Sequence, residues 1–187
     1  MSEVIKKPKL LIIFGPPAVG KLTVGKIVEE KTDFKLFHNH MIMDGVMHLF
    51  GVGTPSEDRL SRIIRENIIQ EAAESKMNLI FTYVWNFAKD KGKINIDRYK
   101  NIYESKGGEV FFIELVANID IRAGRAEHPL RNKEKLHAPN KERVLALDQT
   151  HNFTSPIPFF YPNYIQINTE NKTAEETAGE IVIYLHI

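Results

Sequence analysis

The stretch with the most chemical promise runs Phe14-Gly15-Pro16-Pro17-Ala18-Val19-Gly20-Lys21-Leu22-Thr23. Two glycines at G-x-x-x-x-G spacing, followed at once by a lysine, suit a loop whose backbone N–H groups wrap a phosphate. Gly15 and the run Pro17, Ala18, Val19, Gly20, Lys21, Leu22 and Thr23 are read as that phosphate-binding loop, with Lys21 reaching the outer phosphates. The position after the lysine, where Ser or Thr usually meets magnesium, is Leu22; Thr23 comes one place later. A second polar group, His38-Asn39-His40 with Asp44, follows closely. A third is cationic: seven Arg or Lys stand against three Glu between Ile121 and Leu145, among them Arg122, Arg125 and Arg131. Guanidinium groups fork onto phosphate oxygens better than ammonium groups do, so this stretch suits an anionic ligand.

These groups need a frame. Leu10 to Phe14 is apolar at every position, as in a central parallel strand with both faces covered. Pro16 and Pro17 stop its ladder, and Val24, Ile27 and Val28 repeat at helical spacing from Lys21 to about Lys31. Phe34 to Phe37 reads as a second strand, which puts the His38–Asp44 cluster just past a strand end, where open sheets gather ligands. Met47, Leu49 and Phe50 are expected to pack. Thr54-Pro55 with Glu57 and Asp58 starts a helix reaching about Ser75. Asn78 to Trp85 is a third strand, Ile96 to Ser105 a helix stopped by Gly107-Gly108, and Glu109 to Val116 a fourth strand. A short helix follows Asn118, Leu145 to Pro158 resists assignment, and Tyr164 to Ile167 is a fifth strand. Thr173 with Glu176 forms a capping box for the last helix. Crossovers of these lengths favour one parallel sheet: a three-layer αβα sandwich of five strands over residues 1–187.

Composition removes several alternatives. A net charge of +1 gives no general case for nucleic acid, and no run is apolar enough for a membrane span. No cysteine is present, which excludes disulfides, a thiol nucleophile and thiolate metal sites. The N-terminal MSEVIKKPK is too polar for a secretory signal, and a cytoplasmic location is expected.

Through Gly15, Gly20, Lys21 and Thr23 the sequence resembles the adenylate-kinase-like and shikimate-kinase-like P-loop kinases of small molecules. Ala18 and Val19 stand where that group usually has Gly and Ser, and Leu22 is bulkier than usual. The resemblance implies ATP and Mg2+, with γ-phosphoryl transfer to a small-molecule acceptor by a monomer or homodimer. It implies that Thr23 holds the inner phosphates, and that a helical lid, here about 126–143, closes over the nucleotide. Arg122 then serves the adenine side and Arg125 or Arg131 the transferring phosphates. Asn168 and Thr169, after the fifth strand, border the nucleotide. The acceptor enters beside a helical region at about 38–75. There Asp44 orients or deprotonates its hydroxyl. His38 and His40, two apart and so on one face of a strand, hydrogen-bond it. Arg62 meets an anionic group, and Trp85 walls the pocket. The acid that commonly ends the third strand is missing, since that strand ends Tyr83-Val84-Trp85-Asn86. Magnesium is therefore expected through water, with Thr23 and Asp44 as its protein groups. Two other readings compete: hydrolysis of a nucleoside triphosphate, and a nucleotide-binding regulatory or RNA-associated protein.

Overall fold

A computed structural model describes residues 7–129 and 136–186 of the chain. Its elements alternate as the apolar pattern requires. They are β1 (Lys9–Phe14), α1 (Lys21–Lys31), β2 (Lys35–His38), α2 (His40–Phe50), α3 (Pro55–Glu74) and β3 (Leu79–Tyr83). Next come α4 (Asp90–Ser105), β4 (Glu109–Val116), α5 (Ile119–Ala126), α6 (Lys141–Thr150), β5 (Tyr164–Asn168) and α7 (Ala174–Tyr184). The five strands form one parallel sheet in the order β2-β3-β1-β4-β5.

Strand β1 is central because it can be covered on both sides: Leu10 to Phe14 are all fully buried. One face carries Leu10, Ile12 and Phe14 against Ile42 and Val46 of α2, Ile69 and Ala73 of α3, and Ile96, Tyr99 and Tyr103 of α4. The other carries Leu11 and Ile13 against Val24 and Val28 of α1 and Ala178 and Ile181 of α7. Burying a side chain of this size contributes about 1.5–3 kcal/mol, so these two clusters account for the layered architecture. Because all strands run the same way, the loops after β1, β2, β3, β4 and β5 emerge at one edge.

Helix starts follow their caps. Thr54 Oγ1 accepts the Glu57 N–H at 3.2 Å, Asn118 Oδ1 the Asp120 N–H at 2.9 Å, and Asn140 Oδ1 the Arg143 N–H at 3.0 Å. At α7 the capping box is complete: Thr173 Oγ1 accepts the Glu176 N–H at 3.1 Å, and Glu176 Oε2 accepts the Thr173 N–H at 2.7 Å. Thr173→Ala should lower the melting temperature by about 2–4 °C, measured by circular dichroism.

Some elements depart from expectation. Helix α2 begins at His40, directly after β2, so the polar cluster lies on a helix start just past the strand end, and His38 and His40 do not alternate along one strand. Leu49 and Phe50, expected to pack, are 73% and 45% exposed. Helix α4 starts at Asp90, a turn and a half before Ile96, with Gly92 set against Trp85. The region around Leu145 continues a helix that begins at Lys141. Among the described residues no helix is long and apolar enough to cross a membrane.

Candidate active site

The loop after β1 is shaped by its glycines. Gly15 has φ +142°, and a Cβ there would stand 2.2 Å from the Leu115 carbonyl oxygen of β4, so no side chain fits. Gly20 has φ +106° with open space around it, so there the backbone alone demands glycine. Between them Ala18 takes φ +63°, a left-handed conformation costing an L-residue about 1–2 kcal/mol. Val19 is buried among the side chains over α1, which anchors the middle of the loop. The result is a curled backbone leading straight into the N-terminus of α1, a geometry suited to anions.

Lys21 opens α1 and is 8% exposed. Its Nζ donates to the carbonyls of Gly15 at 2.8 Å and Pro16 at 2.7 Å, which places the ammonium group across the loop. Leu22 is buried, whereas Thr23 is exposed. Both line a cleft of about 860 Å3 that also takes in Ala18 to Lys21, Arg125, His128, Thr169 and Thr173. That volume lies within the range of about 300–1,000 Å3 usual for small-molecule sites.

The opposite wall comes from α5 and the loop after β5. Arg125 Nη1 donates to Thr169 Oγ1 at 2.9 Å and Nη2 to the Thr169 carbonyl at 2.7 Å. A longer contact of 3.4 Å reaches the Val19 carbonyl, so one guanidinium ties the loop after β1 to the loop after β5. Burial pulls the Arg125 pKa below its ordinary value, opposed by the nearby Glu170 carboxylate. Thr169 is buried, and Asn168 Oδ1 is engaged in the turn by the Glu170 N–H at 2.9 Å. Removing Arg125 takes away a cationic wall and loosens Thr169. Arg125→Ala is therefore expected to weaken nucleotide binding about tenfold or more, read by calorimetry.

Arg122 is placed differently. It is 4% exposed, its Nε donates to the Ala117 carbonyl at 3.0 Å, and its Nη2 pairs with Asp148 of α6. It docks α6 on α5 and is not among the residues lining the cleft. One turn of α5 therefore carries two arginines with separate tasks, and Arg125 faces the loop. Arg131 lies outside the described residues.

On the β2 side, His40 Nδ1 stands 2.9 Å from Asp44 Oδ1, an i, i+4 pair on the first turn of α2. Asp44 Oδ2 accepts the Leu136 N–H at 3.0 Å. His38 ends β2 opposite Thr82, and the chain turns helical at Asn39, so His38 and His40 do not share a strand face. Arg62 pairs with Glu66 one turn on along α3 at 3.1 Å, and Glu66 also meets Arg98 of α4 at 3.1 Å, so Arg62 is held in an ion-pair cluster on its own helix. Trp85 is 1% exposed and stacks on Phe87 at 4.7 Å, edge-on to Phe14 at 5.4 Å. It is a core residue and does not wall an open pocket.

The structure adds a carboxylate with no counterpart in the sequence reading. Glu114 of β4, opposite Phe14, is fully buried. Its Oε2 accepts from Ser155 Oγ at 2.7 Å, Gln166 Nε2 at 2.8 Å and the Tyr164 hydroxyl. Burial first, and the hydrogen bond to Glu114 second, push the Tyr164 hydroxyl up to about 12. This network fastens the 151–163 loop over the sheet.

The donor set suits a nucleotide better than a resident metal. A glycine-bounded curl, an adjacent ammonium group and a guanidinium wall match phosphates. Among the described residues no cluster of three or more His, Cys, Asp or Glu could hold a metal ion.

Comparison with other proteins agrees with this architecture. No protein-family model matches the sequence, and no curated protein matches it by sequence. Solved structures do match. A sugar kinase from a Janibacter species aligns with TM-score 0.63 and 14% identity over 96% of this chain and 95% of its own. A gluconokinase from Sinorhizobium meliloti aligns with TM-score 0.62 and 14% identity over 97% and 93%. A shikimate kinase from Acinetobacter baumannii aligns with TM-score 0.58 and 17% identity over 100% and 97%. The chain has the fold of the P-loop small-molecule kinases, matched along nearly its whole length.

Proposed function

We infer that this protein transfers the γ-phosphoryl group of ATP to a hydroxyl of a small-molecule acceptor. The observation that carries the reading is the cleft itself: the Gly15–Thr23 loop with Lys21 on one wall and Arg125 with Thr169 on the other. The fold shared with several kinases supports it.

The roles follow from position. The loop backbone and Lys21 hold the β- and γ-phosphates, Thr23 the inner ones, and Arg125 with Thr169 the nucleoside side. Arg131 would join the phosphates from the lid. A magnesium ion arriving with ATP would neutralise its phosphates, with Thr23 and Asp44 meeting it through water. In the transfer, the acceptor oxygen bonds to the γ-phosphorus as the bond to the β,γ-bridging oxygen breaks. ADP leaves with that oxygen, and the hydroxyl proton passes to the Asp44 carboxylate. Each carboxylate oxygen can accept twice, so Asp44 keeps capacity for the acceptor beside His40 and Leu136.

The test is a coupled assay of ADP release with ATP, magnesium and a panel of hydroxylated small molecules. An acceptor-dependent rise in ADP with a phosphorylated product supports the reading. ADP and phosphate appearing at one rate whatever is added would establish hydrolysis in its place.

A further inference from the structure

A second cavity lies away from the nucleotide cleft. It has a volume of about 450 Å3 and is lined by Met47, Val52, His137, Asn140, Arg143 and Leu147, among others. Its walls divide by chemistry. Met47, Val52 and Leu147 make an apolar side, with Val52 66% exposed, a poor arrangement in water with nothing against it. Arg143 and His137 make a basic side, and among the described residues neither side chain has an ion pair. Asn140 caps α6, so the positive end of that helix points to the same side.

Asp44 does not line this cavity but is tied to two parts of its wall. Met47 stands three residues beyond Asp44 on α2, on adjacent turns of one helix. From the other direction, Asp44 Oδ2 holds the N–H of Leu136, the residue before His137. The cavity thus combines an apolar wall with a basic pair, and Asp44 neighbours it through Met47 and Leu136. We propose that this cavity binds an amphipathic organic acid: its anionic end on Arg143 and His137, its apolar body on Met47, Val52 and Leu147. A hydroxyl on that body would lie toward Asp44, which makes such acids the acceptor class. That last step rests on the phosphoryl-transfer reading, whereas the binding site does not.

The test uses the full chain, labelled with 13C at its methionine methyls, and reads binding without nucleotide or turnover. Five methionines give few signals; Met47→Leu identifies the Met47 signal, and Met77, after α3, serves as the distant control. The probes are hexanoate, its neutral counterpart hexanamide, and acetate, which has the charge without the body. Hexanoate should shift the Met47 signal saturably and leave Met77 in place. Hexanamide and acetate should each bind about tenfold or more weakly, since one lacks the charge-assisted contacts and the other the buried methylenes. Arg143→Gln should erase the preference of hexanoate over hexanamide, and Val52→Asp should weaken hexanoate. Both positions are exposed, so the fold does not depend on them. An unmoved Met47 signal, equal binding of hexanoate and hexanamide, or an unchanged preference in Arg143→Gln overturns the proposal. A protein that binds hexanoate here yet never turns over ATP keeps this site and loses the kinase reading alone.

Discussion

Lys21→Ala is expected to raise the dissociation constant for ADP or ATP by about 100-fold to 10,000-fold. An ammonium group making two charge-assisted hydrogen bonds to phosphate oxygens contributes about 1.5–3 kcal/mol for each, and each 1.4 kcal/mol is a factor of ten. The side chain is already committed to this region, with Nζ on the Gly15 and Pro16 carbonyls at 2.8 and 2.7 Å. Both of those residues are buried, so the alanine also leaves two carbonyls without that donor and should lower stability slightly. Lys21→Met separates the two effects, since it keeps the aliphatic stem and removes only the charge. Displacement of a fluorescent ADP analogue reads the affinity, and circular dichroism reads the fold. Near-normal affinity in a folded Lys21→Met protein would mean that the loop does not bind phosphates through this residue.

Asp44→Asn should lower the rate of phosphoryl transfer by about 100-fold to 10,000-fold, the usual contribution of a positioned general base. The amide oxygen can still accept the Leu136 N–H or face His40 Nδ1, which now stand at 3.0 and 2.9 Å from the two carboxylate oxygens. It cannot take up a proton. Affinity for ATP without magnesium should stay within about twofold, because the cleft lined by Lys21 and Arg125 does not include Asp44. The melting temperature should change by no more than about 2–4 °C, since a partly exposed i, i+4 pair contributes little. Rapid-quench measurement of product formation with saturating ATP tests this. A rate equal to that of the wild type would remove Asp44 from the chemistry.

These two positions illustrate how much a reading of the chain alone can reach. The strand–loop–helix arrangement at Gly15–Thr23 is legible because everything it needs is consecutive: an apolar strand, glycines at fixed spacing, a lysine, then a helix period. Strand β1 was legible for the same reason, since a run buried on both faces leaves a run of apolar residues. Other features depend on contacts between distant parts. Arg122 and Arg125 lie three residues apart on α5, and nothing local says which one turns toward the loop. That is decided by Asp148, 26 residues on, and Thr169, 44 residues on. His38 and His40 looked like one strand face because their spacing is even; the early start of α2 broke the alternation. Trp85 stood at a strand end, where a binding wall is easily imagined. The aromatic loop around Phe159 and Phe160 comes back to cover it. Glu114 gave no signal, because a single acid in an apolar strand is ordinary when half of the strand faces water. Its donors arrive from 41, 50 and 52 residues downstream.

The resemblance to kinases therefore holds for the fold. It says less about the acceptor side, where Arg62 is held by Glu66 and the depression beyond Asp44 is lined by residues that no motif marks.

Phosphoryl transfer from ATP requires first that the cleft behind the Gly15–Thr23 loop bind ATP. Calorimetric titration of the purified protein with ATP, with and without magnesium, tests it most directly. Saturable binding in the range of about 1–100 µM, altered by magnesium, is the expected result. Absence of binding at millimolar ATP in a folded protein would contradict the account.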